Sequence, residues 1–141
     1  MMTTTQGIKL MSNSKLNKEA QDLPVCLVVE DEPAILRLIV LALSDLGCAV
    51  LPATSAEEAL HLLKDDGVAP SLTITDIRLP GMDGVELTRQ IKADSRLATR
   101  PVILMSAYGE PRQHDGDAFL AKPFDIDEFG AFVGAYIPNS D

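Results

Sequence analysis

Five short apolar runs, each closed by a polar residue and separated by helical stretches, dominate this 141-residue sequence. "VCLVVE" (25–30) is a continuous apolar run closed by acids, the pattern of a strand buried on both faces. "PAILRLIVLALSDLG" follows, with Pro33 suited to a first helical turn and Gly47 to its end. "CAVLPA" reads as a second strand. "TSAEEALHLLKDDG" then sets Ser55 and Glu58 at capping-box spacing, with Gly67 as a stop. "LTIT" is a third strand and "GVELTRQIKAD" a helix whose apolar side carries Val85, Leu87 and Ile91. "PVILMS" and "DAFLAK" supply strands four and five, and "DIDEFGAFVGAYI" a final helix before Pro138. Strands that alternate with helices fold as parallel βαβ units, which predicts one three-layer α/β domain over residues 23–138.

In such sheets functional groups collect at the carboxyl ends of the strands. Strand one ends in Glu30-Asp31, strand three in Asp76, strand four in Ser106 and strand five in Lys122. All five residues therefore fall on one sheet edge. Asp at a strand end most often forms a turn, and "TDIRLPGMDG" does break into a Pro-Gly turn. The companions of Asp76 favour chemistry instead. Three close carboxylates repel one another, and a hard Mg²⁺ with octahedral oxygen ligands resolves that repulsion. Lys122 can hold a phosphoryl oxygen as a point charge and Ser106 can donate a hydrogen bond to another. Asp76 is then the nucleophile that forms an acyl phosphate.

Composition excludes several other classes. Net charge is −9; after residue 22 there are nine basic against nineteen acidic residues, and such a domain repels phosphate backbones, so no direct nucleic-acid partner is expected. Cys26 and Cys48 have no CxxC neighbour, as for reduced core thiols in a cytoplasmic protein. No stretch is apolar enough for a signal peptide or membrane span, and residues 1–22 read as a polar, disordered tail, with 139–141 a short C-terminal one. There is no G-x-S-x-G elbow and no Gly-rich phosphate loop. A haloacid-type phosphatase wants a second Asp two positions after the nucleophile, where Arg78 stands. His61 and His114 have no supporting context and read as surface or packed residues.

"VVED", "TDIRLPGMDG", "ILMSA" and "FLAKPF", in that order and each at a strand end, resemble a response-regulator receiver domain from about Leu23 to Ile137. The resemblance implies a flavodoxin-like, doubly wound five-stranded sheet of order 2-1-3-4-5. It makes Asp76 the phosphoacceptor, Asp31 a direct Mg²⁺ ligand, Glu30 a ligand through water, and the Arg78 backbone carbonyl a further ligand. Ser106 and Lys122 match the phosphoryl-binding hydroxyl and lysine, Phe119 the switch aromatic, and Lys122–Pro123 a cis peptide. Arg78 and Tyr108 lie where they tune the lifetime of the acyl phosphate.

The resemblance also implies partners: a histidine kinase or histidine phosphotransfer protein as donor, and a downstream protein target. The first helix reads equally as a core helix that contacts the last helix and as the docking surface for the donor's helical domain, two roles that can coexist. Phosphorylation and dephosphorylation would be Mg-dependent self-reactions, not enzymatic turnover on another substrate. Because the sequence ends four residues after Ile137, a stand-alone regulator acting through protein contacts is expected, with a phosphate sink or a phosphorylation-independent interaction module as the alternatives.

Two departures stand out. The acidic pair starts with Glu instead of the usual Asp. Only twelve residues, "AYGEPRQHDGDA", separate Ser106 from Phe119, with Gly109, Pro111 and Gly116 and no apolar face. A parallel crossover needs about a dozen residues, so a loop or single turn is predicted where receivers carry a fourth helix. That resembles a subgroup named for a Phe-Ala-Thr-Gly-Tyr-like motif, which pairs with HWE-type or related histidine kinases. An order–disorder change in 107–118 would then replace a helix shift as the switch.

Overall fold

The computed structural model describes residues 23–138; the two predicted tails lie outside them. Five parallel strands, β1 (Val25–Val29), β2 (Ala49–Ala53), β3 (Leu72–Asp76), β4 (Val102–Ser106) and β5 (Ala118–Ala121), form one sheet in the order β2-β1-β3-β4-β5. Four helices cover it. They are α1 (Pro33–Asp45), α2 (Ala56–Leu60, continued by a π-helical turn His61–Asp65), α3 (Gly84–Ala93) and α4 (Ile126–Gly134). The flavodoxin-like fold and its strand order are those the resemblance implied.

Period-two alternation explains why β1 has no polar face. Cys26 and Val28 join Ile39 and Leu43 of α1 and Phe129 and Val133 of α4 in one core. Leu27 and Val29 face the other way, into a second core with Ala59, Leu63, Leu87 and Ile91 of α2 and α3. Both sides of β1 are dry, as a parallel sheet between two helical layers requires. Both cysteines are buried in the first core, and burial pushes their thiols up, the state of unreactive core residues.

Local chemistry sets the helix ends. Pro33 opens α1, and Gly47 follows it at φ +90. Ser55 caps α2 by accepting the Glu58 N–H at 3.0 Å, but the Glu58 carboxylate accepts from Thr54 N–H, not from Ser55, so only half of the predicted capping box forms. The complete box is at α4, where Asp125 and Glu128 each accept from the other's backbone N–H. That helix ends three residues before the predicted Ile137, because Tyr136 and Ile137 bond to the carbonyls of Val133 and Gly134, a tightened final turn. Arg96, beyond α3, caps the far end of α2 by donating to the carbonyls of Leu63, Gly67 and Val68.

Residues 107–117 contain no helix, as the Gly- and Pro-bearing spacing predicted. Two anchors close the crossover instead. Lys92 Nζ of α3 reaches Asp117 at 2.6 Å, and the same Asp117 oxygen accepts the Val102 N–H at 2.8 Å.

Candidate functional site

Strand register brings the polar strand ends together. Val29 pairs with Thr75, so the next residues, Glu30 and Asp76, are neighbours. Asp76 pairs with Met105 and Ser106 with Ala121, which places Ser106 and Lys122 on the same edge. The sequence placed these residues on one edge; the register supplies the neighbour relations.

Lys122 is the hub. Its Nζ lies 2.8 Å from Glu30 Oε1 and 2.9 Å from Asp76 Oδ2. Glu30 is 1% exposed, and its second oxygen accepts the Glu32 N–H at 3.1 Å. Burial is the largest influence on Glu30 and pushes its carboxyl above the usual range, against the pull of Lys122 and the Glu32 N–H. For Lys122 burial also acts against charge, yet the two carboxylates outweigh it and hold the ammonium above its ordinary value. Lys122 is thus held as the cationic partner of both carboxylates.

Oxygens of Glu30, Asp31 and Asp76 come within 4.8 Å of one another, with Asp31 exposed and the other two buried. Three carboxylates against one ammonium leave a formal charge of about −2, and an all-oxygen donor set with one solvent-facing member suits a hard divalent cation that keeps its waters. The residues present fit Mg²⁺. Ser106 is buried, and its Oγ accepts the Tyr108 N–H at 2.9 Å, which leaves the hydroxyl hydrogen available to a ligand. Phe119 is half-buried on β5, opposite Leu104, and the Lys122–Pro123 peptide is cis. A cleft of about 430 Å³ opens beside Asp76 and Lys122, walled by Ile35, Leu38, Tyr108 and Phe124.

Some contacts were not read from the sequence. The Arg78 guanidinium lies 4.2 Å from the centre of the Tyr108 ring, a cation–π stack whose Tyr108 also lines the cleft beside Asp76. Both residues were singled out, but nothing in their spacing (30 positions) shows that they meet. Gly84, at the start of α3, sits so close to β3 that a Cβ there would lie 2.1 Å from the Asp76 carbonyl oxygen. The histidines are accounted for locally: His61 pairs with Asp65 at 2.6 Å, and His114 with Glu110 at 2.8 Å.

The profile of the response regulator receiver domain family matches residues 26–133. Response regulator Rre1 of Synechocystis sp. is 36% identical over 114 residues, covering 76% of this chain and 48% of Rre1. The chain spans about half or less of the length of the curated relatives it matches. Among solved structures, TrrA from Thermotoga maritima, in complex with Mg²⁺ and BeF, superposes with a TM-score of 0.71 at 30% identity, covering 82% of this chain and 100% of that one. The receiver domain of the hybrid histidine kinase CckA gives 0.68 at 34% identity, covering 81% and 99%. Among the described residues no helix is long and apolar enough to cross a membrane.

Proposed function

This chain belongs to the response regulator receiver domain family, and on that basis we propose that it accepts a phosphoryl group on Asp76 from a histidine kinase or histidine phosphotransfer protein. The observation that carries this reading is Lys122 within 2.9 Å of both Asp76 and Glu30, at a carboxylate cluster with room for a divalent cation. An Asp76 oxygen forms the bond to phosphorus as the donor's P–N bond breaks. Lys122 turns from Asp76 Oδ2 to an incoming phosphoryl oxygen, and the Ser106 hydroxyl donates to another. Asp31 and Asp76 directly, Glu30 through water and the Arg78 carbonyl would hold Mg²⁺, which when bound would neutralise charge on the transferring group. The Arg78–Tyr108 stack limits water's access to the acyl phosphate and so sets its lifetime. The reaction is a self-modification in both directions, carried out in the cytoplasm, and its output is a protein contact.

The test is direct. With a small phosphodonor and Mg²⁺, mass spectrometry is expected to find one added phosphoryl group, labile to base and hydroxylamine. Chelation and Asp76→Asn each abolish it. Persistent label on the Asn variant at another residue overturns the assignment, and an unlabelled wild type points to a phosphorylation-independent module.

A further inference from the structure

We propose that Glu57, on α2 and outside the phosphoryl pocket, is a positioning residue for the loop that carries Arg78; this rests on the Mg²⁺ site read above. Residues 77–83 run from the end of β3 to the N-cap of α3. The loop is fixed at its base, where the Ile77 N–H donates to the Met105 carbonyl at 2.9 Å and the Gly84 N–H to the Ile77 carbonyl at 2.8 Å. Its tip is Pro80-Gly81-Met82. There the Glu57 carboxylate reaches across from α2, and Oε2 accepts the Met82 N–H at 2.9 Å.

A second observation shows how closely the two parts fit. Gly81 has φ +78, and a Cβ built on it would lie 2.7 Å from Glu57 Oε2 and 3.2 Å from Oε1. The carboxylate therefore lies directly against the turn, and a Cβ at Gly81 would push this side chain aside. The Met82 N–H is also the main reason the Glu57 carboxyl is held below its usual range, so the contact stays charge-assisted at neutral pH. Gln90 adds only a 3.9 Å contact to the Met82 sulfur. With its base and tip both tied, the loop presents the Arg78 backbone in one place. Without Glu57 the tip is released at Met82, four residues from Arg78. Residues that orient a metal ligand change affinity without touching the ion.

The experiment measures Mg²⁺-dependent stabilisation against urea for the full chain, with no phosphodonor present. Glu57→Ala is expected to raise the half-saturating Mg²⁺ concentration about two- to tenfold, the effect of one net hydrogen bond. Glu57→Gln keeps an acceptor oxygen and is expected to return it to within about twofold of wild type. In labelling assays the half-saturating Mg²⁺ is expected to move more than the rate at saturation, a split that general loosening of the fold does not produce. An Ala variant within twofold of wild type overturns the proposal. So does a Gln variant that behaves like Ala, or a wild-type chain that Mg²⁺ does not stabilise. Because binding is read without transfer, weaker Mg²⁺ binding in the Ala variant of a chain that takes no label supports the positioning role while removing the phosphoacceptor.

Discussion

Gly84→Ala tests whether the floor of the site is as tight as its geometry indicates. The added methyl would lie 2.1 Å from the Asp76 carbonyl oxygen, 2.9 Å from Ile77 Cα and 3.0 Å from the Asp76 carbonyl carbon. All three are backbone atoms, so no side chain can swing away. Relief requires α3 to move about 1 Å from β3, an overpacking cost of about 1–3 kcal/mol. The Gly84 N–H bond to Ile77 and the Thr88 hydroxyl bond to the Gly84 carbonyl hold the helix in place, and stretching the first adds about 1 kcal/mol. Ala in place of Gly returns up to about 1 kcal/mol of helix propensity. Net destabilisation of about 1–3 kcal/mol follows. The strain falls on Asp76 itself, and a displacement near 1 Å costs about 10²-fold in rate. Urea titration and phosphodonor labelling give the two readouts. Gly130→Ala is the matched control: its Cβ meets nothing within 4 Å, so the same substitution inside α4 is expected to stabilise by about 0.5–1 kcal/mol. If Gly84→Ala unfolds within 0.5 kcal/mol of wild type, by the ordinary spread of neutral substitutions, and labels at the wild-type rate, the tight-floor reasoning fails.

Lys122→Met strands two buried carboxylates and is expected to destabilise the metal-free protein by about 3–5 kcal/mol at neutral pH, read by urea titration. Because the folded pKa of Lys122 is raised, its stabilisation is fully present below the ordinary lysine value of 10.5 and is lost as pH rises through the folded value; the Met variant is expected to lack this alkaline step. Glu30 is also raised, so its contribution is complete below the ordinary glutamate value of 4.5 and declines as pH rises through its folded value; Glu30→Gln is expected to flatten that slope in metal-free denaturation curves. Mg²⁺ at ten times its Kd is expected to stabilise the wild type by about 1.4 kcal/mol, and an Asp31→Ala variant that gains as much would remove Asp31 from the site. With beryllofluoride, hydrogen exchange is expected to change at 107–113 and not at 114–117; a uniform change across the loop would count against local anchoring.

The strand ends were legible because a parallel sheet buries whole strands and leaves the first polar residue after each as a marker. Glu30, Asp76, Ser106 and Lys122 all carried that signal, and register alone brought them together. Contacts between loops carried none. Arg78 and Tyr108 come from separate crossovers, and their stacking depends on how each loop leaves the sheet. Glu57 carried no signal at all, since its place beside the capping-box Glu58 gives no sign of the Met82 N–H across from it. Capping-box spacing occurs both at Ser55, where Thr54 N–H takes the place of the Ser55 N–H, and at Asp125, where the reciprocal pair forms. Identical spacing gave different outcomes because the neighbouring backbone donor decides which way the Glu turns.

The crossover from β4 to β5 shows how a short sequence replaces a helix. A helix there would have satisfied its own backbone and covered Leu104 with an apolar face, and "AYGEPRQHDGDA" can do neither. The structure meets both needs with side chains. His114 is only 10% exposed on its side chain, and its Nδ1 accepts the Gly116 N–H at 3.1 Å while Nε2 meets Glu110 at 2.8 Å. With Nδ1 accepting, Nε2 carries the proton of the neutral ring. Gly116 permits this closeness, since a Cβ there would sit 3.1 Å from Leu104 and 3.2 Å from His114 Nδ1. The far end of the loop is thus pinned by His114 and by Lys92 with Asp117. The near end hangs on the Tyr108 N–H to Ser106 Oγ bond and the Arg78 stack, both of which touch groups assigned to the phosphoryl site. A change in Ser106 therefore reaches Tyr108 first and meets a fixed point at His114. The order–disorder switch expected over 107–118 narrows to the near half of the loop.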